Sequence, residues 1–115
     1  MVRRQSEQAV EFKCIREGHG DTRMQKLLNG AEEMFGKGRM FNLMTLIPGN
    51  SIGVHQHTGD NEVFYFLSGE GEYNDDGRIV RVGPGDVAVC NSGQTHSLKN
   101  TGSEDLTFIA LILYN

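Results

Sequence analysis

The chain is built from short runs in which apolar and polar residues alternate, separated by clusters of Gly, Asn, Asp and Pro. A period of two is the pattern of half-covered strands; no long stretch repeats at i, i+3, i+4 as an amphipathic helix would. Strands are expected at residues 9–15 (AVEFKCI), 22–28, 39–47 (RMFNLMTLI), 52–56, 61–67 (NEVFYFL), 70–73, 78–82 and 87–90, the last of these buried. Residues 106–114 (LTFIALILY) are almost continuously apolar, so this strand reads as covered on both faces, central in a sheet or packed at a subunit interface. The run Asn74-Asp75-Asp76-Gly77 is a strong hairpin signal. Residues 29–38, with Gly30, Gly36 and Gly38, read as a surface loop with room for one helical turn at 31–35. Met34 and Phe35 in that loop are expected to pack on the barrel or on a second subunit. About ten short strands in one unit suit an all-β jelly-roll barrel. The expected organisation is one barrel domain over residues 9–115, preceded by a polar arm at 1–8 that is frayed or reaches a neighbouring subunit.

Face assignments follow from the same period. Met40, Asn42, Met44 and Leu46 share one side of their strand, and Glu62, Phe64 and Phe66 share one side of theirs. If Glu62 points inward, the two phenylalanines do as well.

Composition narrows the class. A length of 115 residues suits a single domain with one core. The balance of 11 Lys and Arg against 15 Asp and Glu leaves no basic block, so no nucleic-acid partner is expected. No apolar run approaches the roughly 20 residues that span a bilayer, and no apolar stretch follows Arg3 and Arg4, so neither a membrane partner nor a signal peptide is expected and the expected location is cytoplasmic. Cys14 and Cys90 read as two reduced thiols rather than a disulfide framework, with Cys90 near enough to the His96 turn to line a pocket.

The chemistry concentrates in two stretches. His55 and His57 sit at i and i+2 of a strand and so present two imidazoles on one face. The turn Thr58-Gly59-Asp60-Asn61 follows, and Glu62 opens the next strand, bringing a carboxylate back beside them. A later stretch, GDVAVCNSGQTHSLKN, supplies His96. Three imidazoles and one carboxylate on a six-coordinate ion leave two positions open, the pattern of a reactive site rather than a closed structural one. His19, between glycines in a turn, reads as solvated.

These two stretches resemble the paired motifs of the cupins. The first motif runs from Gly49 through His55, His57 and Glu62 to Gly69; the second runs from Gly85 through Gly93 and His96 to Asn100, with Asn91 where the family has proline. The resemblance implies a double-stranded β-helix holding one divalent transition metal (Fe, Mn, Ni, Co, Cu or Zn) on His55, His57, Glu62 and His96, in a homodimer. It implies a metal-dependent enzyme acting on a small oxygen-rich molecule, as a dioxygenase, decarboxylase or sugar isomerase or epimerase, or alternatively a binding or sensor module that holds such a molecule without turning it over. Gln56, Tyr65, Tyr73 and Cys90 are candidates to surround the ligands. No dense Lys and Arg group is aimed at the site, Arg39 being the one basic residue on a barrel strand, so a neutral or carboxylate ligand is expected ahead of a phosphorylated sugar.

Overall fold

The computed structural model describes all 115 residues. The chain forms ten strands: β1 Val10–Lys13, β2 Thr22–Lys26, β3 Gly38–Leu46, β4 Ser51–Gln56, β5 Asp60–Ser68, β6 Gly71–Asp75, β7 Arg78–Val82, β8 Val87–Cys90, β9 Thr95–Asn100 and β10 Leu106–Tyr114. Every pairing is antiparallel, and the strands divide into a six-stranded sheet ordered β1-β2-β3-β10-β5-β8 and a four-stranded sheet ordered β4-β9-β6-β7. Met44, Leu46, Phe64, Phe66, Phe108 and Ala110 of the larger sheet pack against Ile52, Tyr73, Val82 and Leu98 of the smaller one to form the core. This is the all-β jelly-roll barrel that the alternation predicts and the double-stranded β-helix that the resemblance implies. Alternate residues of both sheets drive its closure, because each strand has one apolar side to hide.

The β6–β7 connection is as short as the sequence implies. Asp76 (φ 51°) and Gly77 (φ 101°) are its two central residues, both in the left-handed region that a tight two-residue hairpin requires. Strand β10 is central, between β3 and β5, with its alternate residues from Leu106 to Ile112 buried.

Three expectations need correction. Strand β8 is only half covered: Ala88 and Cys90 face inward, while Val87 and Val89 are exposed opposite Tyr65 and Val63. Four apolar residues in a row carry no period, so the sequence could not show that this strand has an outer side. Phe35 is 87% exposed, whereas Met34 is buried against Gly38. The turn at 31–36 ends with Phe35 in the left-handed region (φ 57°), which leaves the ring in solvent. Residues 1–8 run along their own chain rather than hanging free: the Arg3 guanidinium donates to both Glu33 carboxylate oxygens, at 3.0 and 2.6 Å, and to the Leu27 carbonyl.

One feature of the fold prepares the site. The loop after β1 lies directly on β4: Gly53 N–H donates to the Ile15 carbonyl, and Ser51 N–H donates to the His19 carbonyl. The approach is so close that a Cβ on Gly18 would overlap the Ser51 carbonyl oxygen and a Cβ on Gly53 would overlap that of Arg16. Within this loop Arg16 (φ 54°) and Glu17 (φ 58°) are both left-handed, at a cost of about 1–2 kcal/mol each.

Candidate metal centre

Strands β4 and β9 set His55 directly opposite His96. Plain alternation from the buried Ile52 would point Val54 inward, yet Val54 is 63% exposed and His55 turns in. The register shift between Ile52 and His55 explains this: the bulge inserts one residue and re-aims the strand from there on. His57 follows on the same side just beyond β4, and Glu62 enters from β5 of the opposite sheet. His57, Glu62 and His96 are buried, and the His55 side chain is nearly so.

The four sequence-predicted residues therefore come together. His57 Nε2 and His96 Nε2 each lie 3.0 Å from Glu62 Oε1, His96 Nε2 lies 3.0 Å from His55 Nε2, and His55 Nε2 lies 4.0 Å from Glu62 Oε1. On a six-coordinate ion with ligands at about 2.1 Å, neighbouring donors stand ~3.0 Å apart and opposite donors ~4.2 Å. The three separations of 3.0 Å would suit neighbouring donors on such an ion, and all four donor atoms lie within 4.8 Å of one another.

What surrounds the imidazoles decides which nitrogen faces inward. His55 Nδ1 lies 2.8 Å from the Gly53 carbonyl, His57 Nδ1 lies 2.7 Å from Asp60 Oδ1, and His96 Nδ1 lies 2.8 Å from Tyr73 Oη. A carbonyl and a carboxylate can only accept, so His55 and His57 donate their Nδ1–H outward and keep the Nε2 lone pair for the centre. The Tyr73 hydroxyl can donate or accept, so His96 Nε2, 3.0 Å from the His55 lone pair, either gives a proton to it or joins it in facing a cation. The donor set fits a divalent cation.

The electrostatics are those of a cation site. Burial alone would raise the Glu62 pKa, but the imidazoles of His55, His57 and His96 hold it well below the usual carboxylate range. Hydrogen bonding to Glu62, and then to Asp60, raises His57 against the opposing effect of burial. Burial lowers His96, and the neighbouring imidazoles add to this. Burial works to raise Asp60 too, but His57 and Arg39 hold its pKa down; the Arg39 guanidinium donates to Asp60 Oδ2 at 2.9 Å. Cys90 is pushed up to about 11, by burial first and then by the charge of Glu62, so it stays a neutral thiol.

A cavity of about 270 Å³ opens onto His55, His57 and Glu62. Its walls are apolar, including Met24, Met44, Ile52 and Phe64, and Phe64 also stacks on the His96 ring at 5.2 Å. Three cations, Lys13, Arg16 and Arg39, line it as well. The expectation from sequence is of no dense Lys and Arg group, with Arg39 the one basic residue on a barrel strand; Lys13 and Arg16 join it on the lining. Arg39 stands on a barrel strand, but Lys13 and Arg16 arrive from an edge strand and its left-handed loop, which pairwise alternation does not place over the mouth.

The other candidates divide. Tyr73 reaches His96. Cys90 pairs in register with Glu62, but its thiol donates to the Gln94 carbonyl. Gln56 is exposed and ties down Gly93, and Tyr65 points to the outer face. Asp60 and the Gly53 carbonyl were not legible as partners. Asp60 reads as one polar residue of a turn, though an acid three residues after a candidate ligand is the one signal that pointed to it; a carbonyl leaves no signal in sequence.

Residues 42–112 match the family model described as Cupin domain. The chain belongs to the cupin family. It is 44% identical, over 98% of its length and 93% of the relative's, to a Thermotoga maritima protein named oxalate-binding protein. A crystal structure of a predicted oxalate decarboxylase from Thermotoga maritima superposes with a TM-score of 0.94 at 43% identity, covering 100% of both chains. A putative sugar phosphate isomerase from Acidithiobacillus ferrooxidans superposes with a TM-score of 0.78 over 96% of this cupin and 70% of that chain, but at 21% identity it speaks to the fold alone. No helix is long and apolar enough to cross a membrane.

Proposed function

We propose that this cupin holds one divalent transition-metal ion on His55, His57, Glu62 and His96 and uses it to bind a small dicarboxylate, oxalate in particular. The observation that carries the reading is a small cavity lined by three cations that opens onto three of the four clustered donors, His55, His57 and Glu62. At about 270 Å³ the cavity falls below the usual range of ~300–1,000 Å³ for drug-sized ligands, which favours a molecule of a few heavy atoms. The names of the two Thermotoga proteins support the same ligand class. The ion supplies a Lewis-acid seat for two ligand oxygens. The chain's own residues do the rest: the apolar walls exclude water, and the cations neutralise the carboxylates.

Binding without turnover is favoured over decarboxylation by one feature of the lining. The only carboxyl group facing the cavity is Glu62, which belongs to the donor set, and the same is true of the two imidazoles that line it. A decarboxylase needs, beyond the ion, a group free to pass a proton to a developing carbanion, and the sole remaining candidate on the lining is the Lys13 ammonium, exposed on the edge strand β1. The test is isothermal titration of oxalate into protein reconstituted with cobalt(II), followed by analysis for formate and carbon dioxide. Oxalate is expected to bind the loaded protein, binding is expected to vanish after EDTA treatment, and no product is expected. Metal-loaded protein that ignores oxalate overturns the reading; formate production replaces it with the decarboxylase.

The homodimer expected from the sequence is proposed on the outer face of the six-stranded sheet. The register sets Val89, Val63, Leu111 and Phe41 in one row and Val87, Tyr65, Ile109 and Leu43 in the next, an uncharged patch running across four strands. An uncharged apolar face is best covered by another, and a second copy supplies one by two-fold symmetry. Light scattering is expected to give twice the chain mass for the wild type and a monomer for Ile109→Lys; a wild-type monomer at micromolar concentration overturns this.

A further inference from the structure

We infer that the left-handed loop after β1 is a carboxylate clamp, in which Arg16 and Lys13 select a dianion over a monoanion at the metal centre. The inference rests on the chelation reading above and adds what decides between ligands that chelate equally well. A dicarboxylate that offers the ion one oxygen from each carboxylate keeps one charged oxygen on each, and these need partners away from the ion. Of the three cations on the cavity, Arg39 already has one in Asp60. No carboxylate pairs with Lys13 or Arg16, and both, though exposed, line the cavity from the same short segment.

The backbone supports a role beyond chain reversal. Two consecutive non-glycine residues, Arg16 and Glu17, are held in the left-handed region, in a loop where glycine would fit at less cost. Strain of this kind is kept where the side chain it aims has a use. The loop is also fixed to the centre itself: Gly53 takes the Ile15 carbonyl with its N–H, and its own carbonyl accepts from the His55 imidazole. The clamp and one donor of the centre are therefore two ends of a single backbone contact.

The experiment compares oxalate with glycolate, which chelates through a carboxylate and a hydroxyl and carries one charge, using cobalt(II)-loaded protein and calorimetry, with cobalt affinity measured separately. Arg16→Gln and Lys13→Gln are expected to weaken oxalate about tenfold each and glycolate about twofold or less, with cobalt affinity unchanged. Arg16→Gly is expected to weaken oxalate to the same extent while raising the melting temperature, since it removes the cation and the strain together. Glu17→Gly is expected to raise the melting temperature without weakening oxalate. If the wild type binds oxalate and both cation variants bind it equally well, or if they lose oxalate and glycolate in parallel, the clamp is wrong and the chelation reading stands. If the loaded wild type binds no oxalate, both fall.

Discussion

His96→Ala is expected to lose about 10²–10³-fold in metal affinity and, with it, most of the metal-dependent rise in melting temperature. A four-ligand site binds with about 10–16 kcal/mol, so one donor of the four is worth ~2.5–4 kcal/mol. His96 is the donor in contact with two others, Glu62 Oε1 and His55 Nε2, each at 3.0 Å. Its removal leaves Glu62 with one close imidazole, and in a site this buried no water-filled surface takes over. Metal at a thousand times its dissociation constant stabilises the wild type by about 4 kcal/mol, which in a domain of this size raises the melting temperature by roughly 15–30 °C. At the same metal concentration the variant is expected to gain only about 0.4–1.4 kcal/mol, so most of the rise disappears, measured by calorimetry or fluorimetry. Asp60→Asn provides the graded comparison. It leaves an oxygen to accept from His57 but removes the negative charge that both His57 and Arg39 meet, so a smaller loss of about 10-fold is expected.

The pH dependence has a definite sign. Every imidazole donor must give up its proton to the ion, so protons compete with metal. The His57 pKa is raised by Glu62 and Asp60, so competition begins above the ordinary histidine value of ~6.5 rather than at it. Affinity in the wild type is therefore expected to be flat in mild alkali and to fall as pH drops through the region of 7 to 6. Titrations that give one affinity from pH 8 to pH 5 would remove the imidazoles from the donor set.

What the sequence discloses and what it hides follow from one distinction. His55, His57, Glu62 and His96 were legible because side chains that meet at a point across strands must recur at spacings set by strand and turn, and those spacings survive in one dimension. The alternation of Met40 to Leu46 and of Glu62 to Phe66 gave the inner faces for the same reason. Lys13 and Arg16 were not legible because their place over the cavity depends on the loop resting on β4, a long-range contact made by two missing side chains, Gly18 and Gly53. The bulge that turns His55 inward was hidden too: counting by twos from Ile52 gives the wrong face, whereas the i, i+2 spacing of His55 and His57 begins after the bulge and keeps both on one side. Val87 and Val89 failed in the opposite way. Their apolar character is real, but it serves the outer face of the sheet, and a four-residue run does not say which side is solvent.

That loop contact is where a single methyl group is expected to do the most damage to the fold. Gly53→Ala sets a Cβ against the Arg16 carbonyl oxygen, which is backbone and cannot rotate aside. Either β4 or the loop must shift, and overpacking of this kind costs about 1–3 kcal/mol, or roughly 4–8 °C of melting temperature per kcal/mol. The loss is not only of stability. The Gly53 carbonyl orients the His55 imidazole, and the displaced loop carries Arg16, so metal affinity and oxalate affinity are both expected to fall in the same variant. Gly18→Ala strikes the same interface from the other side, against the Ser51 carbonyl. Once the loop has lifted, the second methyl meets open space, so the double variant is expected to cost clearly less than the sum of the two single ones. Strict additivity in chemical denaturation would mean that the two glycines act separately, and that the loop and the metal centre are not joined through β4.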